Sequence, residues 1–85
     1  MGKHEKLILK ILSGRQDASV HFSETISLLH ALGFSLRVKG SHHIFYREGI
    51  EEIINIQPDG SKAKPYQVRQ IRGLIAKYRL EEKNE

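Results

Sequence analysis

Two adjacent histidines, His42 and His43, follow Gly40-Ser41 and precede Ile44-Phe45-Tyr46, with Arg37, Lys39 and Arg47 close by in the chain. Imidazole takes up or gives a proton near neutral pH, and a guanidinium or ammonium beside it steadies negative charge building on a phosphate. Together these residue types suit cleavage of a phosphodiester. RNA carries its own nucleophile, the ribose 2′-hydroxyl. The protein then has only to remove that proton, stabilise the charge added to the phosphate and assist departure of the 5′-oxygen. One His can do the first task, and Lys39, Arg47 or an Arg on a helix can do the second.

On a strand, consecutive side chains point to opposite faces, so His42 and His43 cannot both stand on an open surface. If Phe45 is core, His43 shares its buried face and His42 lies outward with Ile44 and Tyr46. If Ile44 is core instead, the two exchange roles, and apolar weight does not decide between them. Strand neighbours so oriented do not readily hold one ion together. His4, His21 and His30 are scattered, lack a ligand spacing such as His-Glu-x-x-His, and read as surface or cap residues. The sequence therefore predicts a site with neither metal nor cofactor.

Gly60-Ser61-Lys62-Ala63-Lys64 lies ahead of a helix, whose N-terminus offers free amide donors to phosphate. It lacks the spacing of a phosphate-binding P-loop and reads as a basic loop, either touching an RNA backbone or solvated. Tyr46 and Tyr66 either stack on unpaired bases or pack at the edge of a sheet.

The elements that must position these groups follow from hydrophobic period. Leu7, Ile8, Ile11 and Leu12 recur at helical spacing up to Gly14, a suitable left-handed cap, and predict a helix over 3–13. Ser23 as cap, Glu24 in the first turn and the stripe Ile26, Leu29, Leu32 predict a second over 24–32. The period then changes. Phe34, Leu36 and Val38 alternate with Ser35, Arg37 and Lys39, as in a strand with one buried face and its bases outward. Gly40 permits a turn into a second strand over 42–47; Arg47-Glu48-Gly49 marks the next reversal, and a third strand follows at about 52–57. Pro58-Asp59-Gly60-Ser61 is a turn that ends the meander. Pro65 then opens a helix to about Leu80 with Val68, Ile71, Leu74, Ile75 and Tyr78 on its apolar face and Arg69, Arg72 and Arg79 on the other. Glu81–Glu85 reads as a frayed polar tail. The fold class is α+β in two layers, with helices on one face of a three-stranded antiparallel sheet and the other face free for a ligand.

With 85 residues the chain has room for one small domain, and without Cys neither disulfides nor thiolate metal sites can support it. The apolar residues of the first helix are interrupted by Lys3, Lys6 and Lys10, which argues against a signal peptide or membrane span and for a soluble protein, and the absence of Cys fits a reducing cytoplasm. The net charge of +4 is modest, but its distribution is uneven. Thr25–Arg47 contains no acidic residue, and neither does Ser61–Leu80, where Lys62, Lys64, Arg69, Arg72, Lys77 and Arg79 lie. Such blocks favour a polyanionic partner, RNA or DNA. DNA binding through the last helix ranks lower because no helix-turn-helix pair precedes it.

The stretch Lys39-Gly40-Ser41-His42-His43-Ile44-Phe45, followed by a strand, the Pro58 turn and a basic helix with Leu74-Ile75-Ala76-Lys77, resembles the HicA toxins of bacterial toxin–antitoxin modules. The resemblance covers about residues 23–80, and the Gly-Ser-His element is its specific part. It implies a fold similar to the double-stranded-RNA-binding domain and a ribosome-independent mRNA endonuclease. Its catalytic His would be His42, with His43 the fallback, and Arg37, Lys39, Ser41, Arg47, Lys62, Lys64, Arg69 and Arg72 would be available to RNA. It also implies a HicB-like antitoxin as partner, with the toxin a monomer when free or a hetero-oligomer with that antitoxin. The chain departs from the pattern at Ile56-Gln57-Pro58-Asp59-Gly60, where many members carry Val-Pro and then a His or basic turn. It would be organised as an N-terminal helical extension (1–21), a HicA-like domain (22–80) and a polar tail (81–85). The rival reading is a non-catalytic RNA-binding module using the same surface.

Overall fold

The computed structural model describes residues 3–82. Helix α1 (Glu5–Ser13) ends at Gly14, whose left-handed backbone (φ 71°) is the cap the sequence predicts and whose amide donates to the Ile11 carbonyl. A single 3-10 turn (Asp17–Ser19) leads to α2 (Phe22–Ala31). The sheet follows as β1 (Ser35–Lys39), β2 (His42–Arg47) and β3 (Ile50–Ile56), antiparallel throughout and in sequence order. A short hairpin, β4 (Pro58–Asp59) with β5 (Lys62–Ala63), precedes α3 (Pro65–Tyr78). From α2 to α3 the order is helix, three strands, helix, the α+β arrangement of the double-stranded-RNA-binding domain.

The sheet separates two environments. Phe45, Ile54 and Ile56 point inward and are buried with Leu28 and Leu29 of α2, its C-cap Leu32, and Val68, Ile71 and Leu74 of α3. Leu7 and Ile11 of α1 and Val20 complete the same core, so the segment before residue 22 is packed into the domain. Arg72 ties it there. Its guanidinium donates to both carboxylate oxygens of Asp17, at 2.8 and 3.2 Å, and to the Ile11 carbonyl at 3.0 Å.

Four expectations are corrected. The cap of α2 is His21 rather than Ser23: its backbone N–H donates to Glu24 Oε1 at 2.8 Å, and the helix starts earlier, at Phe22. Val38 belongs to the inward set by alternation yet is 56% exposed, because β1 is an edge strand with no cover over its end. His4, expected at the surface or as a cap, is the N-cap of α1. Its ring lies between the Glu82 carboxylate and Ser27 Oγ, each at 2.7 Å, and this contact also fixes Glu82 of the expected frayed tail. Residues 83–85 of that tail lie outside the described residues. Finally, Pro58–Ser61 is a turn with its own pair of strands. The Ala63 amide donates to Val20 O and the Phe22 amide to Ser61 O, both at 2.9 Å, so the hairpin is sewn to the start of α2.

Candidate active site

The position of His42 follows from the turn before it. Lys39 and His42 are paired across β1 and β2, which leaves a two-residue connection, Gly40-Ser41. Gly40 takes φ 62°, a conformation open to glycine and strained for other residues, and Gly at the first central position is what such a tight hairpin demands. His42 is therefore the first residue of β2, with its exposed side chain on the face away from the helices.

The alternation left open by the sequence is resolved by Phe45. That residue is fully buried, so His43 shares its face: the His43 ring is half-buried, edge-on to Phe22 with centroids 5.0 Å apart, and its Nδ1 is buried with no hydrogen-bond partner. His42 stands on the opposite face with Ile44 and Tyr46.

Two amides of the neighbouring strand and its exit hold the His42 ring. Asn55 Oδ1 lies 3.1 Å from Nδ1, and Gln57 Nε2 lies 2.9 Å from Nε2 and 3.1 Å from Nδ1. A carbonyl oxygen can only accept, so the ring nitrogen facing it carries the hydrogen: Nδ1–H donates to Asn55. The Gln57 amide nitrogen, at nearly equal distance from both ring nitrogens, sits over the ring face and not along either lone pair, so Nε2 keeps its in-plane lone pair. This tautomer presents Nε2 as a proton acceptor.

The basic candidates divide. Arg37 and Lys39 lie on the open face, opposite Ile44 and His42 in the register, and Ser41 is exposed in the turn beside them. The Arg37 guanidinium rests 5.9 Å over the Tyr46 ring. Lys62 is exposed on β5, Arg69 is exposed on α3, and Lys64 is half-buried as the N-cap of α3. Two others are engaged elsewhere. Arg47 donates to the Leu32 carbonyl at 2.9 Å, closing the end of α2, and Arg72 is bound to Asp17, whose carboxylate raises the guanidinium's already high pKa further. We therefore leave both out of the open face.

A groove opens beside His42 that the sequence reading does not foresee. Ile53, Asn55 and Gln57 from β3 and its exit, with Tyr66, Gln67 and Gln70 from the first turns of α3, line a cavity of about 340 Å³. Its signal in the sequence is slight: Asn55 alternates outward between Ile54 and Ile56, and Tyr66 and Gln70 are four apart on one helical face. Gln67 holds the two walls together, accepting from the Lys64 amide at 3.3 Å and donating to the Asn55 carbonyl at 3.4 Å. Tyr46 and Tyr66 are both partly exposed (42% and 55%), Tyr46 on the open face against Arg37 and Tyr66 in the lining of the groove. Among the described residues no three His, Cys, Asp or Glu side chains converge as metal ligands do, and no helix is long and apolar enough to cross a membrane.

Comparison with curated proteins and with solved structures finds no match. A family model described as the HicA toxin of bacterial toxin–antitoxin systems matches residues 22–78, the span from the start of α2 to the end of α3 that contains the sheet, His42 and the groove. With more than half of its length inside that match, and with the helix, three strands and helix in place, the chain belongs to the HicA toxin family of bacterial toxin–antitoxin modules.

Proposed function

We propose that this toxin is an endoribonuclease that cleaves mRNA by metal-independent transesterification, with His42 as its general base. One observation carries the reading: of the two imidazoles, that of His42 alone is exposed on the open face, with Nδ1 held by Asn55, the Gln57 amide over the ring and the Nε2 lone pair left for a proton. Nε2 takes the proton of a ribose 2′-hydroxyl. The 2′-oxygen then bonds to phosphorus while the bond from phosphorus to the 5′-oxygen breaks, leaving a 2′,3′-cyclic phosphate and a 5′-hydroxyl. The imidazolium returns its proton to that leaving oxygen. Lys39, paired across the sheet from His42, is the cation nearest in register to offset the charge on the phosphate.

Family membership supplies a toxin–antitoxin partner. The antitoxin, HicB-like in this proposal, silences the toxin by covering the basic, His-bearing face, and both act in the cytoplasm where mRNA is found. The free toxin is taken as a monomer, joining the antitoxin in a hetero-oligomer.

Incubation of the purified protein with a defined RNA, with and without chelator, tests this. Expected are products ending in cyclic phosphate that persist under chelation and vanish in the folded His42→Ala variant. Salt-sensitive binding without products would instead identify an RNA-binding module, and undiminished cleavage by His42→Ala would overturn the assignment.

A further inference from the structure

The open face is divided in its chemistry. On the β1 side lie cations, Arg37 and Lys39; the groove on the β3 and α3 side is lined, beside His42, by neutral groups, the amides of Asn55, Gln57, Gln67 and Gln70 with the Tyr66 ring and Ile53, while the exposed charges Glu51 of β3 and Arg69 of α3 stay out of its lining. His42, on β2, stands between the two halves. A phosphate is held by positive charge and gains little from a lining without any. A nucleobase has the reverse needs: flat faces that stack on aromatic or apolar surface, and edges whose donors and acceptors are matched by amides. Tyr66 is 55% exposed and Ile53 60% exposed, so a flat apolar surface is presented rather than packed away. A cavity of about 340 Å³ lies at the small end of ligand pockets.

From this division we infer that the groove beside His42 is a receptor for one unstacked nucleobase, that of the nucleotide whose 2′-hydroxyl reacts, so the RNA must be single-stranded there. The inference rests on the cleavage proposed above and adds to it a substrate class and a polarity. With the base in the groove, its ribose lies at His42 and the phosphate on its 3′ side reaches Lys39 and Arg37. A base paired inside an A-form helix presents no face to the groove, and its edges lie in a narrow major or a shallow minor groove. The double-stranded-RNA-binding architecture is thus used here on an unpaired strand.

Two readouts keep this inference separable from catalysis. The first is binding of a labelled 2′-O-methyl decamer, which lacks the nucleophile, as a single strand and as a perfect duplex. Tyr66→Ala is expected to weaken single-strand binding by roughly 5- to 150-fold, the range of one lost base–aromatic stack. Tyr66→Phe, which keeps the ring, should restore affinity, and duplex binding should not respond to either change. The second is cleavage of a mapped RNA in which the nucleotide on the 5′ side of the cut is abasic, expected to fall at least ten-fold. Equal single-strand affinity of Tyr66→Ala and the unaltered protein, or cleavage indifferent to the missing base, would overturn the inference. Ring-dependent binding with no cleavage of any RNA would remove the nuclease and leave the base receptor standing.

Discussion

His43 carries a buried ring nitrogen, Nδ1, with no partner, against the edge of Phe22. A buried polar atom left unsatisfied costs about 1–3 kcal/mol, and Phe has a ring of similar shape without one. His43→Phe is therefore expected to hold or raise stability, by about 1 kcal/mol, and to retain cleavage. Denaturant unfolding and an RNA assay on the same preparation check both; a stable His43→Phe protein that cannot cleave would hand the catalytic role to His43. Asn55 gives a second test. Asn55→Asp sets a carboxylate against Nδ1, which favours imidazolium over the neutral base, so the acid limb of the pH–rate profile moves up by roughly one to two pH units. A variant that merely disturbed folding would lower the rate at every pH and leave the limb in place. The doublet was legible in the sequence and its orientation was not, because Ile44 and Phe45 offer each face a residue of similar weight. The tie is broken by the burial of Phe45 under the helices, which turns His43 inward against Phe22 of α2. Asn55 and Gln57 were invisible for a related reason: polar residues gain meaning only once the register places them against His42.

Whole elements were legible where a period runs long enough. Three helices, three long strands and the Gly14 cap were in the pattern, whereas β4 and β5, two residues each, are too short to show any alternation. Their existence depends on Val20 and Phe22, about forty residues away. Arg72 shows a similar limit. Helical spacing groups it with Arg69 and Arg79, but the structure joins it to Asp17 and to the end of α1. Arg72→Met should accordingly lower the melting temperature while leaving RNA affinity per folded molecule unchanged; thermal unfolding with a binding titration separates the two. Between β3 and α3 the corresponding tie is Glu52, which accepts from Lys77 Nζ at 2.7 Å and from Tyr78 Oη at 2.6 Å. These bonds, Lys77 first, hold the carboxyl at about 2 instead of its usual 4.5. A carboxylate with a lower pKa folded than unfolded stabilises the fold above the unfolded value and ceases to do so as pH falls through the folded one. Glu52→Gln should thus be less stable than the unaltered protein at pH 7, with the gap closing between about 4.5 and about 2. A gap that stayed constant through that window would show that the carboxylate's charge contributes nothing.

At the scale of the molecule, the extension of residues 1–21 could be marked off by its helix but not seen to enter the core, since burial of Leu7 and Ile11 depends on α3 and on Arg72. The net charge of +4 likewise understates what a ligand meets. Of the bases in the acid-free segments, Arg47 and Arg72 are spent inside the fold and Lys77 is paired with Glu52. Arg37 and Lys39 remain beside His42 and Lys62 is exposed on the hairpin, while Arg69 and Arg79 are exposed on the helix side, at α3 and its C-cap. Electrostatic affinity for RNA should therefore follow the few free cations rather than the total. Each phosphate contact to a single strand contributes about −0.7 to the slope of log affinity against log salt, so three contacts predict about −2. Replacing Lys39 by Gln should make that slope shallower by about 0.7, whereas Arg72→Met should not alter it. Binding titrations of the uncleavable decamer across a salt series measure both. A slope much steeper than −2, or one that falls with Arg72, would mean that the helix surface and not the sheet carries the strand, and the path drawn past His42 would then be wrong.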